Sequence, residues 1–220
     1  MSKPRRISPA DAAAKRLFIA AYFDDLEARA RFAWQLREDE HPQEAMTLCC
    51  CYLDGLAAFL YHDSERSAFN FVRLLKEHGQ QPKLAQVCPL VMTRWLEASH
   101  GKLAPTARKL ATALGGDLNR VMSDTELSLA ITRSLTKQEA SALSSHIWRA
   151  ALAFVAYTNL RVPSVHATGS SAAVIVGSGG PSTPVRLSFD TMYKALLATI
   201  AALRDLSLRT NKWFGHDKIV

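Results

Sequence analysis

The sequence predicts a mainly α protein, a helical bundle with a small β-hairpin insertion near residues 172–189. Apolar residues recur at three- and four-residue steps over most of the chain, which is the spacing of an amphipathic helix. Two short runs, 172–176 and 185–189, are instead rich in β-prone residues and flank a stretch of Gly, Ser and Pro. With 220 residues, 48% of them apolar, the chain is long enough to bury a core.

The first two helices have the clearest boundaries. Ser8-Pro9 supplies a cap residue followed by proline, so a helix is expected from there to about residue 38, and His41-Pro42 ends it. The next pattern, 43–61, is apolar on nearly every face and predicts a central, buried helix. Further helices are expected at 65–78, 82–98, 105–114, 117–133, 136–160 and 191–209.

The helix predicted at 136–160 opens with a capping box, because Glu139 follows Thr136 by three residues. We find no internal repeat, and a single domain, 1–220, accounts for the whole pattern. Within it the N-terminal helix (1–42) and the helices of 79–135 are expected to lie at the periphery of the bundle.

The composition argues against a membrane, secretion and metal binding. No run of about 18 apolar residues occurs, and no apolar signal core follows the basic N-terminus, so we expect a cytoplasmic protein. Cys49, Cys50, Cys51 and Cys88 lack the spaced pairs of a zinc site and are expected to fill a helical core in a reducing compartment. No metal or cofactor is therefore expected.

Two further features bear on ligands. Gly177-Ser-Gly-Gly180 is glycine-rich, but no lysine follows it closely and it lies between β-prone runs, which favours a hairpin turn over a phosphate loop. The formal net charge of +7 favours anionic partners such as nucleic acid. The basic residues are spread along the chain, so a generally basic surface explains the charge equally well.

The segment Arg161-Val-Pro-Ser-Val-His166 is the candidate catalytic site. Pro163 disfavours continuation of the preceding helix, so Arg161 and His166 are expected on a turn that can aim both into one cleft. Arginine can bind a phosphate, and histidine can exchange a proton near neutral pH. This chemistry suits phosphodiester cleavage without a metal if the nucleophile is the 2′-hydroxyl of RNA. On spacing alone, a capping histidine and a surface arginine are the alternative.

Four other residues are candidates around this segment. Asn159 and Ser164 are expected to contact the substrate, although Asn159 would equally close the helix end. Tyr52 and Asp54, on the helix expected at 43–61, are candidates for supporting the site. For Asp54 a structural hydrogen bond or ion pair is the alternative, because a charge in an apolar setting needs a partner. His146 and Trp148 are expected to pack in the core or an interface.

The segment Ala156-Tyr-Thr-Asn-Leu-Arg161-Val-Pro-Ser-Val-His166 resembles the motif of the HEPN superfamily, in which a helix ends in arginine and histidine follows four to six residues later. The segment Cys51-Tyr-Leu-Asp-Gly-Leu-Ala57 is similar to the second helix of bacterial HEPN-like proteins. The likeness covers about 43–78 and 136–212. It implies a metal-independent endoribonuclease that forms a homodimer, as a toxin or defence effector with an antitoxin or nucleotidyltransferase-like partner.

The sequence departs from the HEPN motif at two positions, and these departures lead to a second interpretation. Val162 stands where active members often have a polar residue, and Thr168 where one toxin branch has tyrosine. The alternative is a non-catalytic HEPN-like module that binds RNA or a protein partner.

Overall fold

A computed structural model describes residues 9–62, 66–161, 173–176 and 185–216, with the backbone alone at Pro9, Arg161 and Ala173–Val176. It confirms a mainly α protein with a small β hairpin. The α-helices are α1 (Pro9–Glu38), α2 (Pro42–Tyr61), α3 (Ser67–His78), α4 (Pro82–Ala85), α5 (Pro89–Ser99), α6 (Ala104–Ala113), α7 (Asp124–Ser134), α8 (Lys137–Ser144), α9 (Leu152–Ala156) and α10 (Phe189–Thr210). Short 3₁₀ segments at Gly101–Leu103, Ile147–Ala150 and Trp213–Gly215 and a π-helical turn at Tyr157–Arg161 complete the helical structure.

The core lies where α1, α2 and α10 pack against one another and α3 covers α2 and α10, so α1 is part of the core and not peripheral as expected. Phe23, Leu53, Phe71 and Leu203 are fully buried at this junction. α2 has neighbours on three sides and buries seven of its residues, but Cys51 and Phe59 are exposed, so the expectation of a helix buried on nearly every face is only partly met. Its length and mean hydropathy of 1.2 also meet the criterion for a membrane span, a test that buried core helices pass as well.

The second group of helices, α5 to α8, packs beside this bundle through α4, α9 and the 3₁₀ segment Ile147–Ala150. Capping boxes begin both α7 and α8. Ser123 accepts a bond from the backbone N–H of Glu126 (3.2 Å), and Thr136 accepts one from that of Glu139 (3.3 Å). These bonds satisfy amide groups that the first turn of a helix leaves unpaired.

Three of the predicted helices are interrupted. The prediction of helix over 82–98 is wrong at Val87, which exchanges backbone hydrogen bonds with Met122 (2.9 and 3.0 Å). The same pairing keeps 117–123 out of the helix predicted at 117–133. The helix predicted at 136–160 ends first at Ser144, where α8 stops, and is broken again at Ala151, whose backbone is extended (φ −63°, ψ 141°). Strand-like pairing between distant segments therefore outweighs local helical propensity at these points.

The β hairpin matches the prediction closely. Strand β1 (Ala173–Val176) pairs antiparallel with β2 (Val185–Ser188), with Ala173 opposite Ser188 and Val176 opposite Val185. Leu187 on β2 is fully buried, so this strand is attached to the bundle by its alternate side chains. The hairpin also contacts the π-helical turn, and α10 follows it directly.

Candidate functional site

The helical segment that ends at Arg161 packs within the bundle. Every residue of α9 is buried, and Leu160 in the following π-helical turn is fully buried as well. The hydroxyl groups of Tyr157 and Ser67 are hydrogen-bonded at 2.9 Å, and the ring of Tyr157 meets that of Phe71 edge-on, with centroids 5.4 Å apart. The π-helical turn therefore positions the backbone of Arg161 beside α2 and α3. Such turns occur frequently at functional sites.

The predicted catalytic pair is described in part. The structure gives the backbone of Arg161 but not its side chain, and Ser164 and His166 lie outside the described residues. The convergence of Arg161 and His166 therefore stays a prediction. Asn159 is exposed, and its amide donates to the carbonyl of Val155 (3.1 Å) and to the hydroxyl of Thr158 (2.9 Å). These bonds close the helix end, and Asn159 still faces solvent beside Arg161 in the chain.

The two supporting candidates lie on α2, which packs against the π-helical turn. Tyr52 is partly buried and packs against the core, and Asp54 is partly exposed. Leu53, between them, is fully buried. The carboxylate of Asp54 is thus accessible to solvent in part, in contrast to the apolar environment expected from the surrounding sequence.

A basic groove lies where α4, β2 and the start of α10 meet. Its cavity of about 450 Å³ is lined by three basic residues together with Gln81, Pro82, Ser188, Asp190 and Thr191. The basic residues are Lys83, Arg186 and Lys194. Lys83 lies about a hundred residues before Arg186 and Lys194 in the chain, so no local sequence pattern indicates the groove.

A second basic cluster, the Arg149 cluster, consists of Trp95, His100, His146, Trp148 and Arg149. The guanidinium carbon of Arg149 lies 3.7 Å from the ring centroid of Trp95 and 4.0 Å from that of Trp148. Nη1 of Arg149 is 2.6 Å from Nδ1 of His146, and the rings of His100 and His146 have centroids 5.2 Å apart. The sequence offers a weak sign of this cluster, because His146, Trp148 and Arg149 are close along the chain.

Burial and like charge act on the titratable groups of the Arg149 cluster. The pKa of His146 is lowered, first by burial and then by the positive charges of Arg149 and His100. Burial also lowers the pKa of Arg149. Both shifts reflect the cost of holding positive charge in this partly buried place.

Elsewhere the acidic, cysteine and histidine residues form no metal centre within the described ranges, where no group of three or more could hold an ion. Cys49, Cys50 and Cys88 are buried as expected, whereas the expectation that Cys51 fills the core is wrong, because this thiol is exposed. Burial raises the pKa of Cys49 to about 12, as expected for a thiol that fills a core.

Comparison with known proteins gives no match. No family model matches the chain, and neither a curated protein nor a solved structure matches it. The site must therefore be interpreted from its own residues.

Proposed function

We propose that the protein is a metal-independent endoribonuclease of the HEPN type, acting as a toxin or defence effector. Arg161 holds the scissile phosphate, and His166 acts as general acid or base while the neighbouring 2′-hydroxyl of RNA attacks. Arg161 also stabilises the charge that builds up on the phosphate during attack. Asn159 and Ser164 contact the substrate, and Tyr52 and Asp54 support the site from α2.

One observation carries the proposal: the helix before Arg161 is anchored on both sides of its final turn. Tyr157 bonds to Ser67 on α3, and Leu160 is buried in the core. An arginine that holds a phosphate for cleavage needs a rigid support, because small displacements from the productive geometry are costly to the rate. The end of a packed helix provides that support for the backbone of Arg161.

The basic groove gives a second line of support. Lys83, Arg186 and Lys194 supply positive charge that can follow the phosphates of a single strand. Arg186 belongs to the hairpin that comes next in the chain after the Arg161–His166 segment. RNA bound in the groove would thus contact the element that immediately follows the proposed catalytic residues.

The same groove favours a second candidate function, a non-catalytic module that binds RNA or a protein partner. A positively charged groove binds phosphates whether or not the bound strand is cut. Where the ligand is RNA, the two candidates differ in the fate of the RNA after binding.

The partners follow from the resemblance. We propose a homodimer in which two Arg161/His166 pairs face one cleft, together with an antitoxin or nucleotidyltransferase-like partner. Light scattering coupled to size-exclusion chromatography measures the first directly. A mass of one chain, 24.2 kDa, at all concentrations would contradict the dimer.

The deciding experiment is cleavage of single-stranded RNA by the purified protein in EDTA. We expect products that end in a cyclic phosphate, and no cleavage of an RNA whose 2′-hydroxyls are methylated. Arg161→Ala and His166→Ala should abolish cleavage, whereas His41→Ala, an exposed histidine at the start of α2, should not. RNA binding without cleavage would favour the non-catalytic module. Equal cleavage by all variants would contradict the assignment of the site.

A further inference from the structure

The guanidinium of Arg149 packs against two indole rings. It lies 3.7 Å from the ring centroid of Trp95 and 4.0 Å from that of Trp148. Trp148 is itself fixed edge-on by Phe69 and Phe154, with centroids 5.4 and 5.3 Å away. Cation–π attraction favours this position, and an arginine confined in this way needs little further ordering to bind a ligand.

The positive charge of Arg149 has no acidic partner within the described part of the chain. The acidic residues of the neighbouring helices are engaged by other cations. Glu97 of α5 is bonded to Arg108 (3.3 Å), and Glu139 of α8 is bonded to Lys109 (2.5 Å). A partly buried cation without a counter-ion is costly, and an anionic ligand would offset that cost.

The two histidines add hydrogen-bond donors to the cluster. Because arginine can only donate, Nδ1 of His146 accepts the 2.6 Å bond from Arg149, which places the proton of the neutral ring on Nε2. His100 is exposed, and its ring centroid lies 4.7 Å from that of Trp95 and 5.2 Å from that of His146. One guanidinium and two imidazoles therefore come together at the surface.

We propose that His100, His146 and Arg149, with Trp95 as support, form a binding site for a phosphate group. Arginine binds phosphate oxygens through paired N–H donors, and the two imidazoles supply donors for further oxygens of the tetrahedral group. A carboxylate has two oxygens and would leave part of this donor set unused. The site does not depend on the RNA cleavage proposed for Arg161 and His166. Its ligand is a free phosphate, a nucleotide or a strand of nucleic acid.

The test follows the histidine side chains by ¹H–¹⁵N NMR while phosphate-bearing ligands are added. The probes are inorganic phosphate, uridine 5′-monophosphate and a single-stranded deoxyribonucleotide hexamer, which lacks the 2′-hydroxyl and cannot be cut by the proposed reaction. We expect the resonances of His100 and His146 to shift on binding and the lowered pKa of His146 to rise, since a bound anion stabilises the protonated ring. A response to inorganic phosphate identifies a free-phosphate or nucleotide site, and a response to the hexamer alone identifies a nucleic-acid phosphate.

Matched variants then locate the site. Arg149→Gln should weaken binding by about tenfold or more, as expected for the loss of charged hydrogen bonds. Arg133→Gln removes the same charge from an exposed position on α7 and should leave binding within about twofold, because surface charges of this kind contribute little. His100→Gln, at an exposed position, weakens binding without endangering the fold. If no probe shifts His100 and His146, or if Arg149→Gln binds as wild type does, the proposal is overturned.

Discussion

The hydrogen bond between Tyr157 and Ser67 should contribute measurably to the free energy of unfolding, and a double-mutant cycle can isolate it. The two hydroxyls are 2.9 Å apart and partly buried. A neutral bond of this kind contributes about 0.5–1.5 kcal/mol. Tyr157→Phe and Ser67→Ala should each destabilise the protein, and the double variant should lose less than the sum, with a coupling energy of about 1 kcal/mol.

Urea denaturation followed by circular dichroism gives the four free energies. For a chain of this length, 1 kcal/mol corresponds to a shift of about 2–4 °C in the melting temperature. Equal denaturant slopes for all variants would show that the denatured state is unchanged. If the coupling energy is below about 0.3 kcal/mol, within the usual additivity of independent sites, the bond does not hold the π-helical turn against α3. Arg161 would then lack the support that this bond gives to the preceding turn.

Three further predictions concern the capping box of α8 and the thiols. Thr136→Ala should cost about 1 kcal/mol in unfolding free energy, measured in urea, because the helix loses its cap; an unchanged midpoint would contradict the box. Hydrogen bonds from the side chain of Lys109 and from Thr136 lower the pKa of Glu139 from 4.5 to about 2. The stabilising contribution of the ionised Glu139 carboxylate, present above pH 4.5, should therefore disappear as the pH falls toward 2. Carboxyl ¹³C NMR measures this pKa, and Lys109→Met should raise it; a titration near 4.5 in the wild type would contradict the bonds. In the native protein a thiol reagent should modify exposed Cys51 rapidly and buried Cys49 only on unfolding, which mass spectrometry of the peptides detects; equal rates would contradict the burial.

The sequence predicts the helices of the bundle well where the apolar pattern within one segment determines which of its side chains are buried. The apolar stripe of α10 recurs at helical spacing, and the apolar run of α2 continues over several helical turns. The structure confirms both helices. The sequence also contains a signal for the interruption before Pro89, because the residue before a proline avoids the helical region. In the structure Cys88 is extended (φ −123°, ψ 111°).

The interruption at Ala151 could not be predicted in this way. No proline or glycine stands there, and the break depends on backbone bonds to a distant segment. The N–H of Cys88 donates to Ala150 (2.8 Å), and the N–H of Leu152 donates to Gln86 (2.8 Å). Periodicity describes one segment at a time and carries no signal for such pairing.

The candidate site is likewise predictable from the sequence only in part. Pro163 and the preceding pattern predict helix to about residue 160, and the structure has helical geometry as far as Arg161. The Arg149 cluster and the basic groove depend on tertiary contacts between residues far apart in sequence. In the sequence, His146 and Trp148 indicate packing alone, and their relation to His100 emerges only in three dimensions.

The most direct test of the proposed function is the rate of RNA cleavage in EDTA by wild type and by His166→Ala under identical conditions. Loss of a general acid or base typically lowers such a rate by about 10²–10⁴-fold, and we expect a decrease in that range with RNA affinity within about threefold of wild type. Cleavage by His166→Ala at the wild-type rate, or no cleavage by the wild-type protein of any single-stranded RNA that it binds, would contradict the proposal.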